Sequence, residues 1–278
     1  MTTDLDTRLD KVQFTILDTE TTGVNLDDGH EIIEIGMVHF SGGEIINSFE
    51  TLLRPASPQT AEALSVHKIS PESLKNAPSF ADMADRIVDF IGTTVIVAHN
   101  RNFDMTFIDT SLQRIGRPVL GNWSVDTLLL SHELWPNFSC HCLRCLGPGL
   151  KLGESGTHRE LDDVIATAAL LKKIIEDLSL AGKDTLRDLH PVQKDYTWES
   201  GDLTRKIRQT VRCAIRKGEL LEISLYEKDE CNYYRITIQP LRLEDNILHG
   251  HIPGKTDDIK IPLYNIITIA TVTGTKSQ

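Results

Sequence analysis

Two carboxylates spaced two residues apart stand at the end of an apolar run, Phe14-Thr15-Ile16-Leu17-Asp18-Thr19-Glu20. In an extended strand, Asp18 and Glu20 share one face and Thr19 points to the other. Two like charges about 4 Å apart repel by ~1 kcal/mol even in water. A hard divalent cation with oxygen ligands supplies the compensating charge. A third carboxylate follows where the apolar run Val95–Ala98 enters His99-Asn100-Arg101-Asn102-Phe103-Asp104. That places Asp104 in the first turn of a predicted helix, at the strand-to-helix junction where α/β sheets hold ligands. The segment Thr157-His158-Arg159-Glu160-Leu161-Asp162-Asp163 sets a histidine just before a predicted helix and an acid five positions later.

Elements of the right kind surround these groups. Residues 13–17, 31–40 and 44–53 read as a three-strand meander, the last two joined at Ser41-Gly42-Gly43. From Pro78 the pattern alternates: helix at 80–91, strand at 94–98, helix at 103–115, strand at 123–126, then a strong helix at 161–178. Strands alternating with helices imply an α/β fold, a mixed sheet with helices on its faces. The chain has 278 residues, 40% apolar and 25% charged, which excludes a disordered or fibrous protein. Its apolar runs fall far short of the ~20 residues that span a bilayer, so no membrane association is expected. Residues 1–11 lack the basic and apolar regions of a signal peptide. The five cysteines are an odd count with three crowded together, and they predict a reducing, cytoplasmic location.

In this order and at these separations, the three acidic segments resemble the exonuclease motifs of the DEDDh superfamily. That superfamily includes the proofreading subunit of the bacterial replicative polymerase and RNase T. The likeness covers about residues 12–180 and extends to Val66-His67-Lys68-Ile69, Ala77-Pro78-Ser79-Phe80 and Val125-Asp126-Thr127-Leu128. It implies an RNase H-like fold and two Mg²⁺ or Mn²⁺ ions held by Asp18, Glu20, Asp104 and Asp163. Physical chemistry agrees, since two metals about 4 Å apart generate a hydroxide and stabilise both oxygens of an in-line displacement. His158 becomes the general base, with an ordinary pKa near 6.5 suited to taking a proton from water. Arg159 stands where the sister class carries its tyrosine, which indicates the histidine variant.

The resemblance also assigns substrate contacts. The backbone after the acid pair (Thr19, Thr21 and Thr22) meets the terminal nucleotide, and His99, Asn100 and Phe103 line the approach. Capping and core packing is the competing reading of His99 and Phe103. His67 and Ile69 resemble a base-contacting segment, with Lys68 where relatives commonly carry glycine. Asp126 is expected to have a structural hydrogen-bonding role. Cys140-His141-Cys142 and Cys145 are of zinc-ligand type, but the sequence reading prefers small buried hydrophobes.

Charge divides the chain: residues 1–202 carry a net −14 and residues 203–278 a net +3. An exonuclease domain at 1–182, a linker at 183–202 and an accessory domain at 203–278 are predicted. The accessory domain opens with a helix at 203–218 that repeats Arg205, Arg208, Arg212 and Arg216 on one face, where arginines grip phosphates or face solvent. Five β-rich runs follow. This part resembles a WYL-type domain, a small SH3- or Sm-like β-barrel, although Ile247-Leu248-His249 replaces the name-giving triplet.

The expected activity is 3′→5′ removal of nucleoside 5′-monophosphates from single-stranded ends. DNA is preferred over RNA as partner, with a DNA polymerase as a candidate protein partner. The alternatives are an exoribonuclease and a non-catalytic nucleic-acid- or polymerase-binding module.

Overall fold

A computed structural model describes residues 4–24, 26–152, 160–189, 203–227, 232–244, 247–255, 258–263 and 266–272. They fall in two compact units, Met1–Ser200 and Gly201–Gln278.

In the first unit, strands Phe14–Thr21 (β1), Ile32–Ser41 (β2), Glu44–Leu52 (β3), Val95–Ala98 (β4) and Ser124–Asp126 (β5) form one mixed sheet in the order β3-β2-β1-β4-β5. The first three are antiparallel, whereas β4 runs parallel to β1 and to β5. The turn between β2 and β3 needs φ values of 59° at Gly42 and 86° at Gly43, which glycine adopts without a Cβ clash. All four residues of β4 are buried, as a parallel strand covered on both faces requires. The first strand runs past residue 17, where its apolar pattern stops, because β2 supplies partners to its end. Asp18 lies opposite Gly36 and Glu20 opposite Glu34, and the register breaks between Glu20 and Thr21.

Seven helices of this unit are described: Ala61–His67 (α1), Pro71–Leu74 (α2), Phe80–Ile91 (α3), Arg101–Arg114 (α4), Thr127–Leu134 (α5), Leu143–Leu150 (α6) and Glu160–Leu180 (α7). Ser79 and Asp82 close a reciprocal capping box that starts α3 where the periodicity predicts. The helices α1, α2 and α5 are too short to register a 3.6-residue period. Each is instead started by a side chain on its free amides, from Thr60, Ser70 and Asp126 respectively. The last helix packs across β1 and β2, setting Val164, Ala168, Leu171 and Ile174 among Phe14, Ile16, Val38 and Phe40. Each such burial is worth about 1.5–3 kcal/mol.

Residues 183–189 are not linker. Leu186 and Leu189 are buried in the same core, Thr185 bridges to Arg8, and the Leu9 N–H donates to the Asp184 carbonyl at 2.7 Å. Two apolar residues three apart on a short 3₁₀ turn explain why the polar composition misleads. The rest of the predicted linker, 190–202, lies outside the described residues.

The second unit starts with Leu203–Lys217 (α8), followed by Leu220–Glu227 (β6), Asn232–Glu244 (β7), Ile247–His251 (β8), Asp258–Pro262 (β9) and Ile266–Val272 (β10). Helix α8 ends at Gly218, whose φ of 66° suits a C-terminal cap. Its Ile207, Val211 and Ala214 pack on Leu221, Ile223, Ile238 and Leu248. The strands form an antiparallel sheet in the order β10-β6-β7-β8-β9. As expected, one helix is followed by five β-strands, and among the described residues β9 and β10 share no ladder. The long β7 bends at a register shift between Pro240 and Arg242, where proline cannot donate to the ladder.

Candidate active site

Strand β1 delivers the acid pair, and both Asp18 and Glu20 are half-buried. The second acidic segment reaches it through a sharp turn. At the end of β4, Asn100 takes the left-handed conformation, φ 67°, which asparagine tolerates better than most residues. The Asn100 N–H donates to Asp126 Oδ1 at 3.2 Å, and α4 begins at the next residue. Asp104 thereby lies in the first turn of α4, only 2% exposed. A carboxylate so deep needs hydrogen-bond donors. Thr19 provides two, its N–H at 2.9 Å and its hydroxyl at 2.8 Å, both to Oδ1. The first and second motifs thus meet through the residue between the two acids.

Asp163 is half-buried in the first turn of α7, the helix that packs against β1. His158 and Arg159 lie outside the described residues. No three of Asp18, Glu20, Asp104 and Asp163 bring one oxygen each to within 4.8 Å of one another. By type, these hard oxygen donors fit Mg²⁺ or Mn²⁺.

Behind this region lies a buried polar layer. Arg101 is 8% exposed and donates to Ser124 Oγ at 2.5 Å and to Asn102 Oδ1 at 3.3 Å. Asp126 is 1% exposed, and its Oδ1 accepts from the N–H groups of Leu128 and Leu129 as well as Asn100, the structural role expected of it. Burial raises the Asp126 pKa, opposed chiefly by the Arg101 charge. His99 bonds Thr127 Oγ1 through Nδ1 at 3.0 Å, and burial depresses its pKa to about 3. His132 and His141 stack with ring centres 3.6 Å apart, and burial lowers His132 to about 4. All three rings are neutral at pH 7.

The predicted substrate contacts divide. The Thr19 N–H goes to Asp104, and the Thr22 N–H goes to the Glu31 carbonyl at 2.9 Å. Both amides help to hold the site, since a buried donor must be satisfied inside the fold. Thr21 is buried, with its hydroxyl on the Gly23 carbonyl at 2.9 Å. Phe103 is 7% exposed and packs on Phe107 with ring centres 4.9 Å apart. His67 is buried and accepts the Ile69 N–H on Nδ1 at 2.9 Å, which leaves its proton on Nε2. Lys68 holds φ 58° at the end of α1, the left-handed conformation that favours glycine. Of the arginine stripe, Arg212 and Arg216 are exposed and Arg208 is half-buried, while the Arg205 side chain lies outside the description. The sequence reading misses the Thr19 clamp and the buried Arg101. The available signal for Thr19 is its phase, opposite to that of the acids.

The cysteine cluster also departs from expectation. Cys142 is buried, but Cys145 is exposed and Cys140 half-buried, and Cys140 and Cys145 form a disulfide.

A strand-borne acid pair, tied to a third acid at the next strand-to-helix junction of an RNase H-like sheet, defines the DEDD-type 3′–5′ exonucleases. The chain belongs to the RNase_T exonuclease family, whose family model matches residues 15–171. Domains of this family use divalent metal ions. The chain is 32% identical over 250 residues to DNA polymerase III PolC-type of Listeria monocytogenes serovar 1/2a, covering 88% of this chain and 17% of that polymerase. With the PolC-type polymerase of Caldanaerobacter subterraneus subsp. tengcongensis it shares 32% over 181 residues, 65% of this chain and 13% of that one. The chain therefore spans less than a fifth of the length of these relatives. Among solved structures, exonuclease X in complex with 5′-overhanging duplex DNA is similar at 27% identity and a TM-score of 0.51, covering 63% of this chain and 99% of that one. E. coli exonuclease I in complex with a dA16 oligonucleotide shares the fold at 16% identity and a TM-score of 0.56, covering 87% of this chain and 55% of that one. Among the described residues, no helix is long and apolar enough to cross a membrane.

Proposed function

We propose that this chain removes nucleoside 5′-monophosphates one at a time from the 3′ end of single-stranded DNA, in the cytoplasm and in the service of a DNA polymerase. The supporting observation is the bond pair from Thr19 to Asp104, which joins the first and second acidic motifs. The similar PolC-type polymerases and the DNA-bound exonucleases X and I support DNA as the substrate.

Asp18, Glu20, Asp104 and Asp163 are the residues that would hold two Mg²⁺ or Mn²⁺ ions, which supply a water of lowered pKa and charge compensation at the scissile phosphate. In this reading His158 takes the proton of the attacking water, an imidazole being half-neutral near its ordinary pKa of about 6.5. Thr19 keeps Asp104 in one rotamer, so the carboxylate need not be ordered when substrate arrives. Thr19, Thr21, Thr22, His67, Ile69, His99, Asn100 and Phe103 are the residues assigned to the approach of the terminal nucleotide. Helix α8 adds a sequence-blind electrostatic hold on phosphates through Arg205, Arg208, Arg212 and Arg216. We read the second unit as a WYL-like accessory domain.

The test is a time course with 5′-labelled single-stranded DNA and RNA of one sequence, with Mg²⁺, with Mn²⁺ and with EDTA, beside Asp18→Ala and His158→Ala. A descending DNA ladder abolished by EDTA and by both substitutions is expected. A faster ladder on RNA would transfer the reading to an exoribonuclease. Tight binding with no ladder on either strand would leave a binding module in its place.

A further inference from the structure

Three cysteine sulfurs converge at the start of α6, far in sequence from the acid pair. The Sγ atoms of Cys140, Cys142 and Cys145 all lie within 4.8 Å of one another, with Cys142 Sγ at 3.3 Å from Cys140 Sγ and 3.5 Å from Cys145 Sγ. A disulfide uses two sulfurs, and this one leaves Cys142 as a buried free thiol against both of its atoms. We propose that the reduced chain binds one Zn²⁺ through Cys140, Cys142 and Cys145, with a water molecule in the fourth position.

The geometry suits the ion. At a Zn–S bond of about 2.3 Å, tetrahedral thiolates sit about 3.8 Å apart, a few tenths of an ångström beyond the two contacts that Cys142 makes. The local backbone is already wound for it. Cys142 is the N-cap of α6 in extended conformation, and its carbonyl accepts the N–H groups of Cys145 at 2.9 Å and Leu146 at 3.0 Å. Its side chain makes no capping hydrogen bond and faces the other two sulfurs instead. Thiolates at the first turn of a helix are further favoured by the helix dipole. Among the described residues no fourth His, Cys, Asp or Glu joins the group, which makes solvent the remaining ligand. His141 is not in the group; its Nδ1 is engaged with Ser131 Oγ at 2.9 Å and its ring also bonds the Phe138 backbone.

The disulfide and the metal are alternatives, because Cys140 and Cys145 can ligate only as thiolates. A cytoplasmic thiol reductant opens the disulfide by thiol–disulfide exchange and is itself oxidised to a disulfide, which leaves three thiols at one point, where a soft-ligand ion binds as they give up their protons. Bound there, zinc ties the stretch after α5 to the start of α6, the helix that packs against α7. This site is separate in ligand chemistry from the carboxylates, three sulfurs against four carboxyl groups.

The experiment is elemental analysis of the full chain purified with reductant, beside Cys142→Ser and Asp18→Asn, together with Co²⁺ loading and thiol counting. Wild type and Asp18→Asn should keep one zinc per chain, Cys142→Ser should lose at least about tenfold in zinc, and the cobalt form should show thiolate-to-metal charge transfer. A mercurial that caps thiols should release the zinc from wild-type protein, a readout that stands even if Cys142→Ser misfolds. Zinc-free wild type with all thiols titratable would overturn the site. So would full zinc retention in folded Cys142→Ser, or a Cys140–Cys145 disulfide persisting in protein purified with reductant.

Discussion

Thr19 and Asp104 are 85 positions apart, yet two donors of the threonine, amide and hydroxyl, close on one carboxylate oxygen at 2.9 and 2.8 Å. The amide bond is fixed by the strand; the hydroxyl bond belongs to the side chain and can be removed alone.

Thr19→Val keeps the shape and the amide bond and deletes the hydroxyl. A hydrogen bond to a charged group is worth about 1.5–3 kcal/mol, so kcat should fall about 10- to 100-fold with the fold retained. Asp104→Asn keeps an acceptor for both donors but removes the charge, and should abolish activity with little change in Tm. Steady-state rates across a Mg²⁺ titration, with melting curves, check both. An unaltered rate in Thr19→Val would mean that the amide alone positions the carboxylate.

Arg101 and Asp126 share the buried layer behind the site. Arg101→Met leaves Asp126 without its nearest positive charge and should cost about 3 kcal/mol in urea unfolding. Adding Asp126→Asn keeps the Oδ1 acceptor for Asn100, Leu128 and Leu129 while removing the orphaned charge, and should recover more than half. No recovery would place the loss in the Arg101 hydrogen bonds instead.

Acid should weaken the first unit. His99 and His132 have folded pKa values of about 3 and about 4, below the ordinary 6.5, so below pH 6.5 the unfolded chain takes up protons that the native one refuses. Stability is then lost as pH falls. Asp109, raised by burial to about 6, acts oppositely and gains stability as pH falls from 6 towards 4. Asp126, likewise raised by burial, opposes the loss and His141, likewise lowered, adds to it, so three histidines against two aspartates leave a net loss of stability as pH falls from 6 to 4. Urea midpoints at pH 7, 6 and 5 measure it, and His99→Gln should flatten the slope. A midpoint that rises on acidification contradicts the assignment.

The arginines of α8 make a salt-dependence prediction. Changing Arg208, Arg212 and Arg216 together to Gln should lower the slope of log affinity against log salt by about 0.7 per lost phosphate contact for single-stranded DNA. An unchanged slope would assign the stripe to solvent.

Much of this was readable from the chain. The strands β2, β3 and β4, the helix α3 and most of α7 follow from apolar period, and Asp18, Glu20 and Asp104 from carboxylates at strand ends. Other features depend on tertiary partners. Thr21 ends β1 because β2 pairs that far, the short helices rest on single caps, and Leu186 is core only because the first unit folds back onto it. Thr19 was legible as a face and not as a bond, since Asp104 comes from a helix the strand cannot foresee. The burial of Phe103 and the partners of the Thr19 and Thr22 amides were not legible in the motifs, since both depend on elements distant in sequence.

The acids stand on β1, the middle strand of its sheet, which pairs with β2 as far as Thr21 and with β4 over Phe14–Ile16. A strand with two neighbours exchanges its amide hydrogens only when most of the domain opens, unlike one at an edge. The catalytic end of β1, paired with β2 alone beyond Ile16, is tied on its other side by the Thr19 N–H on Asp104 and so melts only when that bond breaks as well. Heat inactivation of this protein should coincide with cooperative unfolding of the first unit, and the amides of Ile16 and Leu17 should be among the last to exchange.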